Sequence, residues 1–254
     1  MNQTLEKQLS RKSIRRFLDE PISDQVRADL LEVARRTATS CGLQMSSLIR
    51  LTDPKIKEEV AKICNQAYIA EAPEIWVFVA DLNSAQHIVT EKGQDGANAT
   101  TMDGFFQGFT DAVLMAQNVA TAAESMGLGT CFLGSLLNDP WALVELLQLP
   151  KLVFPALGLM FGKPAQEPQL KPRMPIALRA YENVYDEGED GSYLETFKDY
   201  DAEMTTYYDL RDANRRVDSF TEQPTRIITR DAPKRRRIVA AIADQGFNLA
   251  LQDK

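Results

Sequence analysis

The chain has 254 residues, a formal net charge of −7 and 44 % hydrophobic residues. That length fits one large domain or two small ones, and that apolar content buries a sizeable core, which excludes a disordered chain. The acidic balance argues against a general nucleic-acid binder, and three widely spaced cysteines with no CxxC pair and a single histidine exclude a zinc framework, a thioredoxin-type pair and a multi-histidine metal site.

The N-terminal "MNQTLEKQLS" is polar and carries no apolar signal core, and no uninterrupted apolar run approaches membrane-spanning length. A soluble chain in a reducing, cytoplasmic setting, without a membrane partner, is expected. "RKSIRRFLDEPIS" (11–23) follows, with four basic residues among its first six. Residues 22–37 predict a helix capped by Ser23, with Val26, Leu30 and Ala34 on one face. "SSLIRLT" (46–52) reads as a strand. Asp53-Pro54 then opens a helix to about Cys64.

"EIWVFVAD" (74–81) is a short apolar run rich in β-formers, so a buried strand. Residues 87–102 read as a polar connection. From 101 to 126 apolar residues recur at three- and four-residue steps, and Ala112, Ala116, Ala120 and Ala123 permit close approach of another helix. Glycines after it supply a cap. "CFLGS" (131–135) reads as a short strand ending in a glycine turn. A helix over 138–149 starts from Asn138 or Asp139 with Pro140 in its first turn. Residues 152–162 read as a strand in which Pro155 demands an edge position or a bulge.

Beyond residue 175 the composition turns charged, tyrosine-rich and helical in pattern. The order of elements predicts an α+β sandwich: a core over 1–175 with helices around a small mixed sheet, and a helical extension over 176–254 wrapping that core within the same domain. A Rossmann fold would need a glycine fingerprint after an early strand, and "GLGTCFLG" has the wrong spacing and precedes a strand. There is no phosphate loop and no GxSxG elbow, and one histidine leaves little room for a catalytic triad.

Free cysteine is usually buried, which is the expectation for Cys41 and Cys131; His87 reads as a surface residue. A chain without evident acid–base machinery points to chemistry carried by a cofactor. Arg11, Lys12, Ser13 and Arg15 offer charged donors and a hydroxyl for a phosphate. The alternative is a solvated basic face paired with Asp19 and Glu20. A second basic pair, Lys171 and Arg173 in "LKPRMP", sits on a stretch held extended by prolines, so both point the same way. Two rigid clusters could converge on one anion.

"RKSIRRFLDEPIS", "SCGLQMSS", "AESMGLGTCFLGSLLN", "LKPRMP" and "YYDLRDANRRVDSF" together resemble the nitroreductase family, in the branch of major oxygen-insensitive NADPH nitroreductases and NADPH-flavin oxidoreductases. The resemblance runs over nearly the whole chain. It implies a nitroreductase-like α+β fold in an intertwined homodimer, with FMN bound without a covalent link at the subunit interface and NADPH as co-substrate. Arg11, Lys12 and Ser13 are then expected on the flavin phosphate, with Lys171 and Arg173 from the other side. Arg15 is expected at the N1–O2 edge, where a cation stabilises reduced flavin. Thr39 is expected on the ribityl chain or ring, Gln66 at the pyrimidine edge, and Phe132, Leu133, Gly134 and Ser135 along the ring. Ser40 and Cys41 fall at the substrate opening.

Arg211 and Arg216 match the readers of the NADPH 2′-phosphate, against the alternative of a charged loop neutralised by Asp212 and Asp218. No side chain is named as catalytic and no metal is implied, because the flavin carries the hydride from nicotinamide to a nitroaromatic, quinone or flavin in ping-pong fashion. The chain departs from the branch at four places. Lys12 replaces an arginine, Phe132 a tyrosine, Ser135 a glycine, and Cys41 a serine-type residue. Two other readings stay open: a dedicated flavin reductase that passes reduced FMN to a partner, and a flavin-binding sensor or store without turnover.

Overall fold

A computed structural model describes residues 2–185, 192–211 and 218–248. The chain divides into two compact units, Met1–Glu167 with Ala232–Lys254, and Pro168–Asp231. The first unit is built on a four-stranded sheet in the order β1-β2-β4-β3, from β1 (Ser46–Arg50), β2 (Glu74–Asp81), β3 (Gly129–Leu133) and β4 (Val153–Gly162). All three ladders are antiparallel, and parallel pairing occurs as the isolated bridges Ser13–Thr130 and Thr101–Asn248.

Strand β2 lies inside the sheet, and successive side chains alternate between its faces. Ile75, Val77 and Val79 face a cluster that includes Val60, Ala61 and Cys64 of α3 (Pro54–Cys64) and Leu143 of α6 (Pro140–Leu146). Trp76 and Phe78 face the opposite cluster. It holds Leu30 and Ala34 of α2 (Asp24–Arg35) and Ala112, Ala116, Val119, Ala120 and Ala123 of α5 (Met102–Ser125). The result is a sheet between two helical layers. The alanine row of α5 is buried against α2 and the chain's own sheet. It therefore serves this core and leaves any second copy to other residues.

Local chemistry sets the helix starts where the sequence places them. Ser23 accepts from the Val26 N–H, Asp53 from Lys55, Thr101 from Gly104 and Asp139 from Ala142. Pro155 lies in β4, an inner strand, so the edge position is not used. The register steps from Phe78–Leu157 to Val79–Pro155, leaving Ala156 as an extra residue in a bulge. Strand β3 pairs β4 only from Gly158 to Gly162, so no ladder bond is asked of the proline nitrogen on that side.

Two helices were not anticipated: α1 (Gln3–Leu9), with Asn2 as cap, and α4 (Asn83–Glu91), which enters the stretch read as a polar connection. Helix α4 buries no residue, so its sequence lacks an apolar stripe to announce it. His87 on it is exposed, as expected.

The first unit closes with α10 (Pro233–Arg236) and α11 (Ile238–Asp244). Ala241, Ile242 and Phe247 join Phe105 and Phe154 in a third core cluster. The buried Gln245 amide donates to the carbonyls of Pro150 at 2.9 Å and Val153 at 2.8 Å, which ties the returning chain to the start of β4. The second unit contains α7 (Tyr193–Thr196), α8 (Lys198–Arg211) and α9 (Glu222–Thr229). There Phe220 meets Phe197 and Tyr200 at ring separations of 5.2 and 5.1 Å, and Asp201 accepts from the Thr221 N–H and hydroxyl. Among the described residues no helix is long and apolar enough to cross a membrane.

Candidate cofactor and active site

The basic segment 11–17 is stitched to the sheet rather than left on the surface. Ile14 N–H donates to the Thr130 carbonyl at 2.9 Å, Leu18 N–H to Lys163 at 2.9 Å and Ala165 N–H to Arg16 at 3.0 Å. Ile14 is buried, and its side chain lies where a Cβ on Gly129 would stand, 2.6 to 2.8 Å from that point. A glycine at 129 is what allows the segment to close on β3.

Two cations of the segment have carboxylate partners. Arg11 Nε lies 3.3 Å from Glu124 Oε1, its Nη2 donates to Thr130 Oγ1 at 3.4 Å, and its guanidinium stands 5.5 Å from the Phe132 ring centre. Lys12 pairs with Glu167. Both pairs line one open cleft of about 230 Å³ with Lys7 and Ser10. Burial pushes the Glu124 carboxyl above its ordinary range, opposed by the Thr130 hydroxyl, Arg11 and Lys7. Neither Asp19 nor Glu20 is the partner of this cluster; Glu20 pairs with Lys163.

Burial pushes the Cys131 thiol up, while Arg15, Arg11 and Ser13 pull it back in part. Cys131 is buried as expected; Cys41 is not, being exposed on the loop after α2. Gln66 follows a left-handed turn at Asn65, and its Oε1 accepts from the Tyr68 hydroxyl at 2.6 Å. Burial pushes the Tyr68 phenol up, and Arg15 opposes that shift. Leu133 is buried in the core, so only its backbone faces the strand end. A Cβ on Gly134 would meet nothing within 4 Å, which leaves open space beside the turn. Burial pushes the Cys64 thiol up, and Ser135 opposes that shift.

The loop carrying Thr39, Ser40 and Cys41 is held by one buried carboxylate. Asp111 of α5 accepts from Ser40 N–H at 2.9 Å and Met45 N–H at 3.2 Å. Thr39 Oγ1 accepts from Gln44 N–H at 2.8 Å, and Ser40 Oγ donates to Gln107 at 3.1 Å. Cys41, Gly42 and Gln44 have φ values of 51°, 69° and 54°. Non-glycine residues hold such angles only where surrounding bonds fix them, and Asp111 supplies those bonds.

The second unit carries Lys171 and Arg173. Arg173 turns its Nη1 back to the carbonyls of Lys171 and Pro172, both at 3.2 Å. Arg211 ends α8 with its side chain outside the described residues, and Arg216 lies wholly outside them.

Four residues of this region escaped the sequence reading. Asp111 and Glu124 carried a weak signal, since with Asp103 they are the charges of the mainly apolar helix α5. Tyr68 carried none beyond its closeness to Gln66. Arg235 of α10 donates to the Gly134 carbonyl at 2.8 Å across more than a hundred residues. Its run "KRRR" reads as a surface patch, yet Lys234 pairs with Asp139 and Arg237 stacks on Trp141 at 5.3 Å. Among the described residues no group of three or more His, Cys, Asp or Glu side chains could hold a metal ion.

A basic segment bridged to the sheet, a turn after β3 beside open space and a loop tied to α5 make up the candidate site. Residues 9–163 match the model of the nitroreductase family, and residues 171–250 match that family's C-terminal domain. The chain belongs to the nitroreductase family.

An oxygen-insensitive NADPH nitroreductase of Salmonella typhimurium is 36 % identical over 232 residues, covering 91 % of this chain and 93 % of that one. An NADPH-dependent oxidoreductase of Staphylococcus saprophyticus is 36 % identical over 238 residues, covering 92 % and 94 %. Among solved structures, NfrA2 of B. megaterium superposes with a TM-score of 0.91 at 29 % identity over 99 % of this chain and 100 % of that one. The NADPH:FMN oxidoreductase of Vibrio harveyi, complexed with NAD+, does so at 0.82 and 32 % over 96 % and 98 %.

Proposed function

We propose that the chain is an NADPH-dependent oxidoreductase of the nitroreductase and flavin-reductase type, working through bound FMN. The observation that carries this reading is the 11–16 segment, whose main chain is fixed on β3 while Arg11 and Lys12 face one cleft. The donor set suits FMN. Arg11, Lys12 and the Ser13 hydroxyl match a terminal phosphate, and Lys171 and Arg173 are further cations of the kind a phosphate takes. Arg15 and Gln66 offer donors for the polar edge of the ring system, and the space beside Gly134 is open. When bound, FMN supplies a two-electron carrier between nicotinamide and acceptor.

This chain's own residues bind and orient. Arg11 and Lys12 exchange Glu124 and Glu167 for the phosphate. Arg15 places a positive charge where negative charge collects, which favours acceptance of electrons. Thr39, Ser40 and Cys41 border the acceptor opening on a loop that Asp111 fixes. Arg211 and Arg216 read the 2′-phosphate of NADPH. Nitroaromatics, quinones and flavins are the acceptors that an open site of this kind admits.

A homodimer completes the reading. Leu31 of α2 and Phe106 and Leu114 of α5 are large apolar side chains left exposed, which supports a covered face there. Light scattering should give twice the chain mass.

The test is direct. Purified protein should be yellow and release FMN on denaturation, and NADPH should bleach it without oxygen. A screen of nitrofurans, quinones and free FMN then ranks acceptors. Release of reduced FMN to a second enzyme would favour the dedicated flavin reductase, whereas bound flavin that NADPH leaves unbleached would make it a sensor or store. FAD in place of FMN, or no uptake of flavin by the apoprotein, overturns the reading.

A further inference from the structure

The loop from α2 to β1 is closed on helix α5 at both ends of its turn 40–45. Asp111 is buried, and its two carboxylate oxygens accept from the N–H groups of Ser40 at 2.9 Å and Met45 at 3.2 Å. Along α5, Gln107 Oε1 accepts from the Ser40 hydroxyl at 3.1 Å, and Gln107 Nε2 donates to Asp103 at 2.6 Å. Asp103, Gln107 and Asp111 follow each other at four-residue steps, so they form one row on the helix. Gly108 lies in the same stretch, and a Cβ there would stand 2.9 Å from the Met45 carbonyl. A side chain at that position would hold the loop off the helix. On its other side the Met45 carbonyl accepts from Asp81 N–H at 2.9 Å, which fixes this end of the turn to β2.

Between these anchors the backbone is held where it would not rest by itself. Cys41 and Gln44 have φ values of 51° and 54°, which are costly for residues with a Cβ. Cys41 is exposed, and so is the apolar Leu43 that follows Gly42. We propose that Asp111 is a positioning residue for the acceptor. By holding the turn 40–45 in this shape it keeps Cys41 and Leu43 at the rim of the opening and limits the bulk of the molecule that enters. Left-handed angles fold the chain back on itself, whereas negative φ lets it extend, so release of the turn admits larger acceptors. The inference deepens the FMN reading and rests on it.

Asp111→Asn keeps the size of the side chain and one acceptor oxygen, and sets an NH₂ group against the other N–H. Hydrogen exchange of the apoprotein is the first readout. The Ser40 and Met45 amides should be protected in wild type, and at least one should exchange about tenfold faster in the variant, the effect of one lost hydrogen bond. The second readout uses the FMN-loaded enzyme with NADPH. It is the ratio of kcat/KM for menadione, a fused-ring quinone, to that for benzoquinone, a single ring. A uniform loss of active protein lowers both values alike and leaves the ratio where it was. The ratio should rise about threefold or more in Asp111→Asn. Should that variant not fold, Gln107→Ala cuts the tie to the Ser40 hydroxyl, leaves Asp111 in place and should move the ratio the same way. Wild-type Ser40 and Met45 amides without protection, or a ratio that stays or falls, overturn the role of Asp111 while the FMN reading stands on the flavin of the wild type. Failure of the wild-type apoprotein to take up FMN overturns that reading and the acceptor role with it.

Discussion

Arg11 Nε stands 3.3 Å from Glu124 Oε1, so the first cation of the basic segment is held by a carboxylate from the end of the central helix. The pair is unequal. Arg11 gains a partner and a position, while Glu124 gives up much of its hydration and has its pKa raised by burial.

That direction makes a pH prediction. A carboxyl with a raised folded pKa binds its proton more tightly in the native state. Native stability therefore falls as pH rises from the ordinary carboxylate range through the folded pKa, and then levels off. Glu124→Gln mimics the protonated form and lacks this limb. The apoprotein of the variant should melt above wild type at pH 7, and the gap should close as pH falls toward 4. Melting curves across that range check it; a gap independent of pH would assign the raised pKa no energetic role.

Two glycines separate folding from binding. Gly129→Ala would drive a Cβ to 2.7 Å from the Cβ of Ile14, which is fixed to the backbone and cannot swing away. Overpacking of this kind costs about 1–3 kcal/mol, and FMN affinity should fall with it because Ile14 lies between Ser13 and Arg15. Gly134→Ala meets no protein atom within 4 Å. Its melting temperature should match wild type, and any loss of FMN affinity then reports on the ligand alone. Thermal melts beside FMN titrations distinguish the two.

Glu74 is a second buried hub, at the start of β2. It receives Arg50 twice at 2.7 Å and Trp76 Nε1 at 3.0 Å, and Arg27 lies 3.5 Å away. Removing it strands the Arg50 guanidinium and an indole donor, while Arg27 keeps Asp24 and the Ile22 carbonyl. Glu74→Ala should lose stability toward the lower end of about 3–5 kcal/mol, because Arg50 keeps partial access to water. Arg50→Ala should lose less, since Arg27 and Trp76 still satisfy the carboxylate. Urea unfolding measures both.

The nicotinamide choice is tested by the pair Arg211→Ala with Arg216→Ala. A 2′-phosphate is the only group by which NADPH differs from NADH. Two charge-assisted contacts suggest a loss of roughly 2–4 kcal/mol in kcat/KM for NADPH, with NADH nearly untouched. The preference should also fade with added salt, since salt screens attraction between charges in contact with water. Equal loss with both nicotinamides would remove these arginines from the recognition of phosphate.

Much of the fold was legible because its signals are local. Ser23, Asp53 and Thr101 cap helices through N–H groups two or three residues away. The alternation of β2 is written in consecutive residues, and Pro155 announced an edge position or a bulge because a missing N–H is a property of one residue; the sheet order chose the bulge. The basic segment was legible for the same reason: four cations within six positions need no partner to be noticed. Where local signals are weak the sequence was silent, as in α4, which buries nothing.

The tertiary structure decided which charges meet, which groups lose water and which surfaces are left over. Glu124 and Arg11 are 113 positions apart, Asp111 and Ser40 71, and Arg235 and Gly134 101. No periodicity encodes such pairs; they exist because the sheet order brings β3 beside the N-terminal segment and α5 across both. Cys41 shows the same limit. Its residue type favours burial, but the loop held by Asp111 turns it outward. The alanine row of α5 could have served a partner helix or the chain's own core, and the contacts with α2 and the sheet assign it to the core. Sequence fixes what each residue is able to do; burial and proximity, set by the whole fold, select which of those abilities the site retains.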